Sequence, residues 1–164
     1  MPLDPVASSP TDFDFVVGEW TVQHRRLRER LAGSSVWIEF DGEMSTQKVL
    51  GGFGNVEDNL LKFPEGEFRA VALRSYDPST SSWSIWWLDG RFPGKMDVPV
   101  VGSFENQVGT FYADDTFEGR PIKIRFLWSQ VTVDQLRWEQ AFSDDSGRTW
   151  ETNWTMDFFR KPRA

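Results

Sequence analysis

The chain has 164 residues, with 18 Lys and Arg against 25 Asp and Glu and a formal net charge of −7. At 39% hydrophobic and 26% charged residues it reads as a globular domain able to bury a core without cross-links. An acidic surface is unsuited to displacing phosphate counterions, which argues against a nucleic-acid partner; the absence of cysteine excludes disulfides, thiolate catalysis and Cys-ligated zinc, and a single histidine excludes a multi-histidine metal site.

Residues 1–11, with Pro2, Pro5 and Pro10 and neither a basic nor an apolar leader, read as a flexible lead-in rather than a signal peptide. Residues 12–164 read as one domain. No stretch reaches the ~18 apolar residues of a membrane span, so the expectation is a cytoplasmic protein with no membrane partner. Thr11 to Gly18 predicts one or two helical turns, capped by Thr11 or Asp12 and left through Gly18.

From there turn residues recur at intervals of roughly ten, the spacing of an antiparallel meander. They fall at Gly33-Ser34-Ser35, Gly51 to Gly54, Pro64-Glu65-Gly66, Asp77 to Thr80, Asp89 to Gly94, Glu105-Asn106-Gln107, Glu118 to Pro121, Val131 to Asp134 and Asp144 to Gly147. The runs between them alternate. Ile122, Ile124, Phe126 and Trp128 share one face; so do Leu136, Trp138, Gln140 and Phe142, and Trp150, Thr152, Trp154, Met156 and Phe158. Arg125 falls on the opposite, outer face. These runs predict an all-β fold, a single antiparallel up-and-down barrel of about ten strands with a short N-terminal helical turn, since closure removes the sheet edges. A barrel of that strand number has room for one small ligand.

Gly18-Glu19-Trp20, after a short helical turn and at the start of the first strand, resembles the G-x-W motif of the calycins: lipocalins, fatty-acid-binding proteins and nitrobindin-like barrels. The resemblance implies that Trp20 closes one barrel end under a basic residue of the last strand, Arg160 or Lys161. Phe13-Asp14-Phe15, Trp87 to Arg91, Asp114-Asp115-Thr116, Arg125 to Ser129 and Arg137 to Phe142 resemble the bacterial DUF1579-type proteins over nearly the whole chain. Nitrobindin-like relatives bind haem through a late histidine; the last strands here hold none, so no cofactor is expected. Ser143-x-Asp145-x-Gly147-x-Thr149-Trp150 matches the Asp-box, whose Ser and Asp fasten a hairpin; a single box reads as a fold element.

Nine Trp, fourteen Phe and two Tyr make up 15% of the chain, far more than closing a barrel requires. The expected function is binding of a small apolar molecule, aromatic or polyene-like. Trp20 would close the cavity, Trp83 or Trp87 with Phe126, Trp128, Trp138 and Trp154 would line it, and His24, Arg91, Tyr112 and Asp114 would supply polar contacts. Arg91 or Arg125 would grip an acidic or carbonyl group, oriented by Asp114 or Glu139. On the seventh run parity leaves open whether Tyr112 and Asp114, or Phe111 and Asp115, point inward. The alternative is an enzyme on the same barrel performing isomerisation, cyclisation or dehydration, with His24 and Asp114 as the candidate acid–base pair. Trp86 and Leu88, facing outward, suit a homodimer. Arg25-Arg26-x-Arg28-x-Arg30 reads as a solvated basic run, with an anion or anionic-lipid contact as the lesser alternative.

Overall fold

A computed structural model describes residues 8–162. After a single 3-10 turn, Asp14–Val16, come ten strands: β1 (Gly18–Leu27), β2 (Trp37–Val49), β3 (Gly54–Phe63), β4 (Gly66–Asp77), β5 (Ser82–Asp89), β6 (Val100–Glu105), β7 (Val108–Phe117), β8 (Arg120–Thr132), β9 (Gln135–Ser143) and β10 (Glu151–Arg160). Each pairs antiparallel with its neighbours in sequence, and β1 pairs with β10, closing the barrel. All nine turn clusters fall at strand junctions. Two of the tightest use positive φ at both central residues, Asn106-Gln107 and Glu118-Gly119, which matches the twist of the strands they join.

Strand alternation puts the apolar residues of β8 and β9 inside, as the pattern predicts: Ile122, Trp128, Leu136, Trp138 and Phe142 are all buried. The last strand departs from it. A bulge between Thr152 and Trp154 inserts Asn153, which is buried and accepts from Gln140 Nε2 at 2.9 Å. The extra residue reverses the pleat, so Trp154, Met156 and Phe158 point inward while Trp150 lies outside, with the Arg125 guanidinium 4.6 Å above its ring.

The lead-in as drawn from 1 to 11 falls partly outside the described residues, but Ser8 to Thr11 are tied in. Tyr76 donates to the Ser8 carbonyl at 2.7 Å, and Ser8 Oγ and Ser9 N both donate to Asp12. Neither Thr11 nor Asp12 caps the turn, whose first flanking residue is Phe13. Asp12 instead accepts from the Trp83 indole at 3.1 Å.

Phe13 and Val16 of this segment enter the barrel and form its closed end with Trp20, Trp83, Phe111, Trp128 and Phe158, all buried. Phe13 meets Trp83 edge-on at 4.9 Å and Phe104 at 4.7 Å. Trp20 is fully buried and donates to the Val16 carbonyl at 3.0 Å. Over its ring, at 4.1 Å, lies Arg160, which donates to the Val17 carbonyl at 3.0 Å. Of the two basic residues expected there, Arg160 makes the stack, while Lys161 pairs with Glu43. The cation–π contact contributes about 0.5–2 kcal/mol.

Candidate functional site

The opposite end stays open. A cavity of about 230 Å³ enters between the β5–β6 loop and the tops of β7 to β10. Trp87, Phe126, Trp138 and Trp154 form its aromatic wall, with rings set edge to face: Phe126 on Trp138 at 5.0 Å, Trp138 on Trp154 at 5.5 Å, and Trp87 on Trp154 at 6.1 Å. These four come from β5, β8, β9 and β10, so the wall exists only once the barrel is closed. Arg91 stands at the mouth, its guanidinium 3.8 Å from the Phe68 ring and donating to both carboxylate oxygens of Asp89.

Trp128 and Trp20, expected in or at the cavity, both belong to the closed end, Trp128 stacked on Phe158 at 5.3 Å. On β5, Trp83 and Trp87 share the inward face but occupy opposite ends, and Trp87 is the one that lines the cavity. Trp86 and Leu88 lie on the outer face and are half-buried there.

On β7 the parity left open in the sequence resolves toward Phe111 and Asp115. Phe111 is fully buried and Asp115 lines the cavity, whereas Tyr112 is 49% exposed and Asp114 pairs with Lys123 on the outside at 2.7 Å. Tyr112 and Asp114 are therefore not cavity groups. The physical reason is that Phe111 fills the closed end against Phe13, at 5.7 Å, while Tyr112 keeps its hydroxyl in water. Glu139, likewise outside, is held by Arg137 at 3.1 Å.

His24 points inward but sits behind the aromatic wall. Its Nδ1 accepts from Trp154 Nε1 at 3.1 Å and its ring stacks on Phe40 at 4.5 Å. The strand facing it must carry glycine: a Cβ on Gly42 would lie 2.7 Å from the Leu60 carbonyl and 2.8 Å from His24 Nε2. Burial, and secondarily the nearby Arg26, push its pKa down to about 3. It is neutral at physiological pH, with its accepting nitrogen occupied. His24 and Asp114 are separated by the barrel wall and do not form an acid–base pair.

Several groups that matter here were placed on the surface or not singled out in the sequence. Arg26 and Arg30 turn into the cavity instead of joining a solvated run, while Arg25 and Arg28 stay outside. The signal was the shared parity of Arg26 with Trp20 and His24. Asp97, in the β5–β6 loop, lines the opposite wall with Asp115; burial, then Asp115 and Asp89, raise its pKa. Below the cavity, Arg74 of β4 is buried, pairs with Glu57 of β3, and donates to Asn55 at 2.7 Å. Asn59 completes the group by donating to Glu57 at 2.8 Å. Among the described residues no cluster of His, Asp and Glu is arranged to hold a metal ion. No helix among them is long and apolar enough to cross a membrane.

The fold and cavity define an antiparallel ten-stranded barrel closed at one end and open at the other. Among solved structures, the S-type phycobiliprotein lyase CPES from Guillardia theta is similar over 93% of this chain and 92% of its own, with a TM-score of 0.57 at 11% identity. EF1p2_mFAP2b, in a structure bound to DFHBI, is similar over 93% of this chain and 98% of its own, with a TM-score of 0.50 at 10% identity. At such identities the likeness is one of fold. No family model matches the chain, and no curated protein does.

Proposed function

We propose that this chain is a calycin-type barrel, similar to the DUF1579 proteins, that binds one small apolar, flat and unsaturated molecule in its open half. One observation carries the reading: four aromatic side chains from four strands converge edge to face around a cavity of about 230 Å³ instead of filling it, while the rings at the other end interlock. Flat rings presented this way favour a flat ligand, by the same quadrupole that sets their own geometry. The solved barrel of EF1p2_mFAP2b bound to DFHBI supports small-molecule binding on this architecture.

Native mass spectrometry of freshly purified protein, with an absorbance spectrum of the same sample, tests the reading together with tryptophan quenching by apolar probes. A co-purifying mass lost on denaturation, or saturable quenching weakened on the order of tenfold by Trp154→Leu, is expected. A bare mass together with no quenching overturns it.

A second reading, acid–base chemistry on a bound apolar substrate, is favoured by Asp97, a cavity-lining carboxyl whose pKa is raised by burial and by its acidic neighbours. Turnover abolished in Asp97→Asn with probe binding kept decides for the enzyme. Unchanged binding without turnover in either protein decides for the binder.

A further inference from the structure

We propose that the molecule held in the open half is an aromatic or polyene monocarboxylic acid, its carboxylate gripped by Arg26 and Arg30. This rests on the cavity-binding reading above and names the chemistry of its ligand.

Arg26, on β1, and Arg30, just beyond its end, line the cavity and are half-buried. Neither has a carboxylate within 4.0 Å among the described residues. Asp89 lies near Arg26, but Arg91 Nη2 and Nε engage its oxygens at 2.8 and 3.1 Å, and the Arg91 backbone N–H donates to it at 2.8 Å. What the two guanidiniums do have is aromatic faces. Arg26 lies 4.9 Å from the Trp154 ring and 5.7 Å from Phe63; Arg30 lies 4.8 Å from Phe117 and 5.4 Å from Phe142. These contacts use none of the N–H groups, and neither fork has a protein acceptor among the described residues; it is the edge a carboxylate takes with two parallel bonds.

Arg74 shows what the same arrangement looks like when complete. It too stacks on two rings, Phe13 at 5.0 Å and Trp128 at 4.9 Å, but Glu57 and Asn55 take its fork. Arg26 and Arg30 have the platforms without the acceptor. Burial lowers the pKa of both, Arg26 to about 10, so each remains cationic at neutral pH while lacking part of its hydration.

The remaining walls limit the anion. Asp97 and Asp115 face the arginines across the same cavity, so a dianion meets repulsion that a monoanion largely escapes. Aromatic rings deeper in, arginine forks at the mouth and acidic groups opposite together describe a flat acid entering ring first.

The test compares three probes of one ring system by tryptophan quenching and calorimetry: 2-naphthoate, the isosteric 2-naphthamide and 2-naphthyl phosphate. Naphthoate is expected to bind at least about tenfold tighter than the amide and tighter than the phosphate. Arg26→Met/Arg30→Met, which keeps most of the apolar stems, is expected to abolish the preference for the acid, so that acid and amide bind alike; measurable amide binding by the variant shows that the cavity is intact. Equal binding of acid and amide by the native chain overturns the assignment, as does an acid preference that survives in the variant. Tighter binding of the phosphate overturns the choice of a carboxylate. Binding of neither the acid nor the amide overturns the cavity reading itself, and the present inference with it.

Discussion

The two ends of the barrel use the same residue types to opposite effect. At the closed end, Trp20 and Trp83 are fully packed, their indole N–H groups accepted by the Val16 carbonyl and Asp12, and Arg74 has both stacking partners and a carboxylate. Arg74 Nε and the Trp128 indole N–H are the polar groups left without an acceptor there. At the open end, Trp87, Trp138 and Trp154 surround space, and Arg26 and Arg30 have rings beneath them but no carboxylate in reach. What separates the end that holds the barrel together from the end with capacity left for a ligand is the cavity and the want of a carboxylate beside its arginines, which residue identity alone does not show.

The contrast can be broken most severely at Arg74. Glu57→Ala should cost about 3–5 kcal/mol in urea unfolding, because it strands a buried guanidinium, whereas Glu57→Leu/Arg74→Met together should recover most of that loss. Trp20→Ala should cost a similar ~3–5 kcal/mol, against roughly 1 kcal/mol for the half-buried Trp87→Ala, with probe affinity changing only in the latter.

A pH series sharpens the same comparison. His24 titrates at about 3 when folded against 6.5 for a free histidine, so the unfolded chain takes up the proton first as pH falls. Stability is therefore full above about pH 7 and declines as pH drops through 6.5 toward 3, by about 2 kcal/mol at pH 5. The single histidine makes the assignment clean: His24→Gln should flatten the profile between pH 7 and 5 in unfolding experiments at both values. The smallest effect is expected from Arg160→Gln, about 1 kcal/mol from the lost stack on Trp20, measured by the shift in melting temperature.

Much of this fold was legible because the physics is local. Turn residues at ten-residue spacing and period-two alternation do not depend on distant contacts, and they mark the strand junctions and the inward faces of β8 and β9. Trp20 at the head of β1 and a basic residue at the tail of β10 similarly announced the closed end. The illegible parts depend on tertiary competition. Phe111-Tyr112-Ala113-Asp114-Asp115 carries an aromatic and an acid in either parity, so only the packing of Phe111 on Phe13 decides it. The bulge at Asn153 has no composition signal and sends Trp150 outside. Asn55, Glu57 and Asn59 were not singled out in the sequence, because their burial depends on Arg74 across the ladder. Arg26 and Arg30 looked like ordinary surface charge because what buries them, Trp154, Phe117 and Phe142, comes from strands far along the chain.

The ring of strands has a consequence for how the protein is made. Nine of its ten pairings join strands adjacent in sequence and can form as hairpins while the chain is still being synthesised; the tenth, β1 with β10, sets Trp20 opposite Arg160 and must wait for the last strand to emerge. Until that seam shuts, β1 presents an unpaired edge carrying Trp20 and His24, open to pairing with another nascent chain. The slowest and most hazardous moment in this molecule's life is therefore expected at its final closure, and weakening the β1–β10 seam should reduce the yield of folded protein before it reduces the stability of what has folded.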